Sequence, residues 1–329
     1  MRRHDLGMGD TPGQQTGELP PSAVPGRARQ ALADVVFRAV TMVSAGAVLL
    51  SVAGLFVELV RNSRLSLVRF GPGFVTSSAW NPVTKDFGAL SSIFGSVVST
   101  VIAMVIAVPL SLVIALFLVE LAPPRLSKLV GGGIELLAAI PSIIYGMWGL
   151  FVFAPFMADH VQPFLNRTLG FLPLFQGPPM GIGMLSAGII LAFMVLPFIT
   201  AVMRDVFGMV PPVLKESAYG LGATTWEVTR KVTVRYGLRG LLGAVFLGLG
   251  RAIGETMAVT FVIGNDHRIS ASLFAAGNSI ASTLANEFAE ASEPLYLSAL
   301  MELGLILLVM TFLIQVLTQI MLSRVKGRT

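Results

Sequence analysis

Hydrophobic positions along this chain come in long unbroken runs rather than in alternation. Six stretches, roughly Val36–Val60, Ile93–Val119, Ile134–Phe156, Met184–Met203, Leu241–Ile263 and Leu297–Met321, are mostly apolar. A bilayer core requires about 20 such residues in helical form, whereas strands crossing a membrane would show alternating segments of about ten. The pattern therefore predicts an all-α membrane protein with six transmembrane helices. Pro109, Pro141, Pro155 and Pro197 fall within or at the ends of these runs. Lipid-embedded helices tolerate proline where neighbouring helices satisfy the freed carbonyls, so each predicts a kink. The runs divide the chain into a polar, Pro- and Gly-rich tail over 1–35, expected to be disordered, and a first span over 36–60. A segment over 61–90 follows, then a five-helix domain over 91–323 and a short tail over 324–329.

Composition agrees with lipid as the solvent. The 329 residues are 54% hydrophobic and only 12% charged, with mean hydropathy +0.79, against about 25% charged in an average soluble domain. Without cysteine, thiol catalysis, Cys-ligated metals and disulfide scaffolds are excluded. A net charge of +5 is compatible with nucleic acid until the basic residues are placed. Counted by alternate loops, sixteen Lys and Arg fall on one side and six on the other, leaving Arg251 of the 23 inside a span. That asymmetry is the positive-inside signal. It predicts both termini on the cytoplasmic side of the membrane and leaves no nucleic-acid surface. The first apolar run starts too late, and is too long, for a cleaved secretory leader.

Enzymatic chemistry is hard to assemble from what remains. The three histidines, His4, His160 and His267, show no metal-ligand spacing, and no span carries a serine with a histidine partner. None of the five lysines follows glycine and precedes Ser or Thr, as a phosphate-cradling loop requires. The chain is expected to bind no cofactor and to be no enzyme. If ATP drives it, another protein hydrolyses the nucleotide.

The longest connection on the basic side, Arg204 to Gly240, has a pattern of its own. Pro211–Pro212 stop the chain, Leu214–Leu221 form a short amphipathic segment, and Gly220 and Gly222 permit a turn. Ala223–Val234 then form a second segment with Trp226, Val228 and Val232 as apolar contacts. Such a knob (211–236) suits a cleft on another protein, or equally an amphipathic hairpin on anionic lipid.

Glu216-Ser217-Ala218-Tyr219-Gly220-Leu221-Gly222 resembles the EAA loop of binding-protein-dependent ABC importer permeases. Ser77–Leu90, Ile140–Phe151, Gly248–Val259 and Ser270–Ala291 resemble the PstC-type permeases of bacterial phosphate importers, and the likeness covers about 36–321. It implies a type I ABC importer permease (MetI-like) fold with a cytoplasmic coupling helix pair. Glu216, Ser217, Ala218, Gly222, Ala223 and Trp226 would form the ATPase-coupling loop. The partners implied are a second, PstA-like permease, a PstB-like ATPase dimer using ATP and Mg, a periplasmic PstS-like phosphate-binding protein, and membrane lipid. Two positions depart from the family pattern. Ser217 stands where Ala is usual, and Val234-Arg235 replaces a Leu-Pro, so the second coupling helix is expected to run on.

Arg251 lies near the middle of the fifth run, where a charge costs on the order of 3 kcal/mol. Glu255 is four residues on, which places both on one face of a continuous helix. The pair reads as a substrate pathway or as a structural ion pair. For phosphate, Arg251 would offer planar donors to the oxyanion. Glu255 would accept the proton that hydrogen phosphate carries and sulfate lacks. Glu58, Glu135 and Glu302, near span ends, read as structural. The long loops 61–90 and 264–296 lie on the side opposite the knob. The second carries Asp266, Glu287, Glu290, Glu293 and Arg268, with a short helix expected over Leu284–Glu290, and the resemblance makes these loops the surface for the binding protein. The rivals are a permease for sulfate or molybdate, and a secondary transporter, which would show inverted repeats and discontinuous helices. No convincing repeat relates the two halves.

Overall fold

The computed structural model describes residues 27–325. The polar stretch 1–26 and residues 326–329 lie outside the described residues. The chain divides into two bodies at Leu55/Phe56. The first is a single helix, α1, Arg27–Asn62, whose last turns belong to the second body. It begins before Val36, so part of the expected tail is helical.

In the second body α2 (Arg64–Phe70) and α3 (Gly73–Thr76) lead to a small hairpin, β1 (Trp80–Asn81) and β2 (Asp86–Phe87). Then come α4 (Leu90–Leu116), α5 (Pro124–Ala138), and a long helix made of α6 (Ser142–Trp148), α7 (Ala154–Phe156) and α8 (Gln162–Leu169) joined by wide π-type turns. They are followed by α9 (Met184–Gly208), α10 (Pro212–Gly220), α11 (Thr225–Val228), α12 (Val234–Ile253), α13 (Met257–Ile263), α14 (Ile280–Glu287) and α15 (Pro294–Val325). Six helices among the described residues are long and apolar enough to cross a membrane, as the hydrophobic runs predict.

Two spans are displaced from their expected bounds. The third starts at Ser142, because Pro141 separates it from α5. The fifth runs over Thr225–Ile253 and stops short of Ile263, because Gly254–Thr256 interrupt the helix. Both breaks lie where a continuous apolar run concealed them.

The core forms around α9. In its apolar window 61% of residues are buried, against 28% for the span that contains α4. Ile190, Leu191, Met194, Val195, Ile199, Met203 and Phe207 fill the interior. Small residues set the approach of the neighbours. A Cβ at Gly188 would stand 2.6 Å from Ile102 of α4, and one at Gly248 would stand 2.5 Å from Ile199. Ser111 of α4 donates to the Leu196 carbonyl at 3.0 Å, a polar link of the kind that joins helices in lipid.

At the end of the bundle opposite α10 the loops are clasped on Glu287, which no sequence pattern singled out as a centre. Trp80 Nε1 and the Tyr296 hydroxyl each donate to its Oε2 at 2.6 Å. The Asn278 amide donates to His267 Nδ1 at 2.8 Å, so His267 carries its proton on Nε2 and donates to Glu287 Oε1 at 3.0 Å. The indole of Trp80 stacks on that imidazole at 5.2 Å. The neighbouring acids are also engaged: Asp266 with Arg268 at 2.6 Å, and Glu293 with Lys85. The helix expected over Leu284–Glu290 starts at Ile280 and ends at Glu287, with Ser279 as its cap.

Burial pushes the Glu287 carboxyl up, but the three donors outweigh it and hold it below the usual carboxylate range. A depressed carboxyl stabilises the fold in full above its unfolded value. That contribution is lost as pH falls through the lower folded value. Glu287→Gln should therefore cost about 1 kcal/mol near neutral pH. It should also flatten the fall in melting temperature below about pH 4, read by thermal unfolding of the purified protein across pH.

Candidate functional site

The knob is two short helices on a glycine turn. Pro212 opens α10, and Gly222, at φ +83°, takes the left-handed turn that a β-carbon would strain. The Ala223 N–H closes back onto the Ala218 carbonyl at 3.1 Å. Thr224 and Glu227 then form a reciprocal capping box that starts α11. With Arg235 in place of proline, the helix continues through a π-type turn into α12 without a stop, as expected from that departure.

Large apolar side chains are exposed on the surface of the knob. Leu221 is 90% exposed and Trp226 68%; Val213, Leu214 and Tyr219 are exposed beside them, as are Glu216 and Ser217. Trp226 therefore does not pack inside the knob as expected; Val228 alone of the three named contacts is buried. The knob is fixed to the bundle through Glu120, in the π-type turn Phe117–Leu121 that follows α4. Its carboxylate accepts from Lys215 Nζ of α10 at 2.6 Å and from the Thr233 hydroxyl at 2.9 Å.

The second constellation is at the break in the fifth helix. The Ala258 N–H, free at the start of α13, donates to Glu255 Oε1 at 3.1 Å. Glu255 thus caps the next helix segment. With Gly254–Thr256 outside any helix, it does not share a helical face with Arg251, and the two form no ion pair among the described residues. Arg251 is exposed on α12 and stands over the Phe198 ring of α9 at 5.4 Å, within electrostatic reach of Tyr145. The same strip of α12 carries Gly243, around which a Cβ would meet nothing, and the exposed Leu247. A guanidinium in no ion pair among the described residues thus stands in the last turn of α12, on an exposed strip with Gly243 and Leu247.

The other acids differ from one another. Glu135 neither caps nor opens a span; it pairs with Arg204 of α9 at 2.5 Å. Glu58 accepts from Asn62 at 2.6 Å. Glu302 is not at a watery helix end: it is buried, with Oε2 lacking a partner.

The binding-protein-dependent transport system inner membrane component family matches residues 87–327. The chain belongs to this family. It is 54% identical over 305 residues to the phosphate transport system permease protein PstC of Mesorhizobium japonicum, covering 92% of this chain and 93% of the relative. The PstC of Haemophilus influenzae is 50% identical, over 89% of this chain and 94% of its own. The probable PstC of Methanocaldococcus jannaschii is 36% identical, over 78% and 82%. Among solved structures, the inward-facing MetNI methionine ABC transporter matches with TM-score 0.51 at 20% identity, covering 72% of this chain and 94% of that one. That likeness concerns the fold alone, the MetI-like fold that the EAA-type loop implied.

For an inner-membrane component of an ABC transporter, Glu120 is the residue that sequence reasoning missed. It directly follows the apolar run that ends at Val119, and only the fold shows that this end meets the knob. Its one signal was an acid at the end of a span, with its lysine partner in a later basic loop 95 residues away. Removing the acceptor leaves Lys215 and Thr233 without their partner in a half-buried site, so Glu120→Ala should destabilise by about 2 kcal/mol. It should also lower the substrate moved per ATP hydrolysed by the assembled transporter. Melting temperature and paired flux and hydrolysis assays check both.

Proposed function

We propose that this chain forms one half of the translocation pathway of an ATP-driven inorganic phosphate importer. In this reading the knob end faces the bacterial cytoplasm, where Glu216, Ser217, Ala218, Gly222, Ala223 and Trp226 dock on a separate, PstB-like ATPase dimer. A PstA-like second permease closes the open strip of α12, and a PstS-like binding protein delivers phosphate at the Glu287 end. ATP and Mg belong to the ATPase; this chain supplies no hydrolytic chemistry.

The observation that carries the pathway is Arg251: a guanidinium exposed on a membrane helix and in no ion pair among the described residues. Such a charge is retained at a cost on the order of 3 kcal/mol. An oxyanion in passage offers it planar, bidentate acceptance. Phosphate as the anion is supported by relatives of that name over about nine-tenths of both chains. Glu255 acts beside it. One oxygen is held by the Ala258 N–H, and the other is the acceptor for the proton of hydrogen phosphate.

Motion passes from the ATPase through α10 and α11 to α12, which continues from α11 without a stop, and through Glu120 to α4. Closure of the ATPase dimer thereby reaches the strip that carries Arg251.

Reconstituted with its partners, Arg251→Ala should lower ATP-dependent phosphate uptake about 100-fold, the order lost with one charge-stabilising donor, while assembly with the ATPase persists. Uptake at the wild-type rate would overturn the pathway role. Glu255→Gln should narrow the preference for phosphate over sulfate, measured in competition; an unchanged preference would remove Glu255 from selectivity.

A further inference from the structure

A cavity of about 640 Å³ opens along α15 at the end of the bundle opposite the knob, between α2, α4 and α15. Leu67, Gly71, Ile306, Val309 and Leu313 line it, and one acidic residue, Glu302, shares the wall. Glu302 is 3% exposed, and its Oε2 is buried. The buried Ser66 side chain beside it lies within hydrogen-bonding reach of the carboxyl, a neutral neighbour that brings no counter-charge. No Lys or Arg pairs with Glu302 among the described residues. A carboxyl at this depth without a counter-charge is costly, and such residues ordinarily meet a partner.

The rest of the cavity says what kind of partner. From Glu302 the lining continues to Leu313, about 16 Å along the helix at ~1.5 Å per residue, and every other side chain on that stretch of wall is apolar. On α2, Arg64, Leu67 and Gly71 follow one another at spacings of three and four, which places Arg64 on the face that lines the cavity. Arg64 is exposed and in no ion pair among the described residues. An acceptor, a cation and a long apolar trough together match an amphiphile with a zwitterionic head and one extended chain.

We propose that this cavity is a lipid site for a phospholipid bearing a primary ammonium. The ammonium donates to Glu302, the phosphodiester meets Arg64, and one acyl chain lies along Ile306, Val309 and Leu313. The head supplies the counter-charge that the protein withholds from Glu302. The chain fills a trough that water would occupy only at a penalty. A purely anionic lipid satisfies Arg64 but not Glu302, so the site discriminates by the amine.

The test is native mass spectrometry of the full transporter complex, extracted from membranes that contain both phosphatidylethanolamine and phosphatidylglycerol. Four variants accompany the wild type: Glu302→Gln, Val309→Trp to fill the trough, Val309→Cys for cross-linking, and the surface change Arg64→Ala, which leaves the core intact. Wild-type complex should retain phosphatidylethanolamine over phosphatidylglycerol by about tenfold relative to the bulk membrane, the size set by one charge-assisted hydrogen bond. Glu302→Gln and Val309→Trp should return the ratio to the bulk value, and Arg64→Ala should reduce retention of both lipids. A bulk ratio in the wild type, enrichment unchanged in Glu302→Gln or Val309→Trp, or a cross-link from Val309→Cys to the second permease would each overturn the site. None of these readouts depends on which anion is transported.

Discussion

Hydrocarbon offers no partner to a backbone group that leaves its helix, and this constraint organises the centre of the molecule. Two of the long apolar runs break within the bundle, at Pro141 and at Gly254–Thr256. At each break a side chain replaces the missing helical bond. The Tyr145 hydroxyl donates to the Leu137 carbonyl at 2.9 Å, and Glu255 accepts from the Ala258 N–H at 3.1 Å. The two segments that follow, α6 and α13, then pack on each other. Gly146 permits it: a β-carbon there would stand 2.8 Å from the Met257 carbonyl and 2.7 Å from the Phe261 ring. Arg251 lies one turn before the second break and within electrostatic reach of Tyr145 from the first. The interruptions therefore place polar atoms around a guanidinium at a depth where a continuous helix would show only side chains.

How far the sequence discloses this depends on the length scale of each signal. Spans of about twenty apolar residues are legible because the bilayer imposes their length, and the knob is legible because Pro211–Pro212 and Gly222 punctuate it. The break at Gly254–Thr256 is hidden, since a Gly-Glu-Thr triplet inside an apolar run does not outweigh the flanking residues in any window average. Treating that run as one helix led to the wrong geometry for Arg251 and Glu255. They do not share a face, and the carboxylate spends one oxygen on the backbone. Trp226 shows the converse. Amphipathic spacing marks a residue as apolar-facing without saying whether the apolar surface it seeks is in its own chain, and Trp226 is 68% exposed; in the proposed assembly that surface belongs to another protein.

Contacts of long sequence separation were beyond periodicity altogether. Glu120 meets Lys215 and Thr233, and Glu287 gathers Trp80, His267 and Tyr296. Both are single acids that serve as hubs for donors from different elements, one at each end of the bundle. Acids suit that position because a carboxylate accepts several bonds at once, and each bond to the charged form is stronger than a neutral one. The two hubs hold the loops to the helices at the surfaces where, in the proposed assembly, force enters and substrate is received.

A discontinuous fifth helix is also half the signature of a secondary transporter, so the break alone does not choose a mechanism. What chooses is the combination of the break with the knob. A transporter driven by an ion gradient has no use for an exposed Leu221 and Trp226 on a capped glycine turn, continued without a stop into the helix that carries Arg251. A lever of that form transmits motion imposed from outside. α12 has the knob at one end and Arg251 near the other. In the proposed assembly a displacement of the knob therefore passes along α12 to the break at Gly254–Thr256.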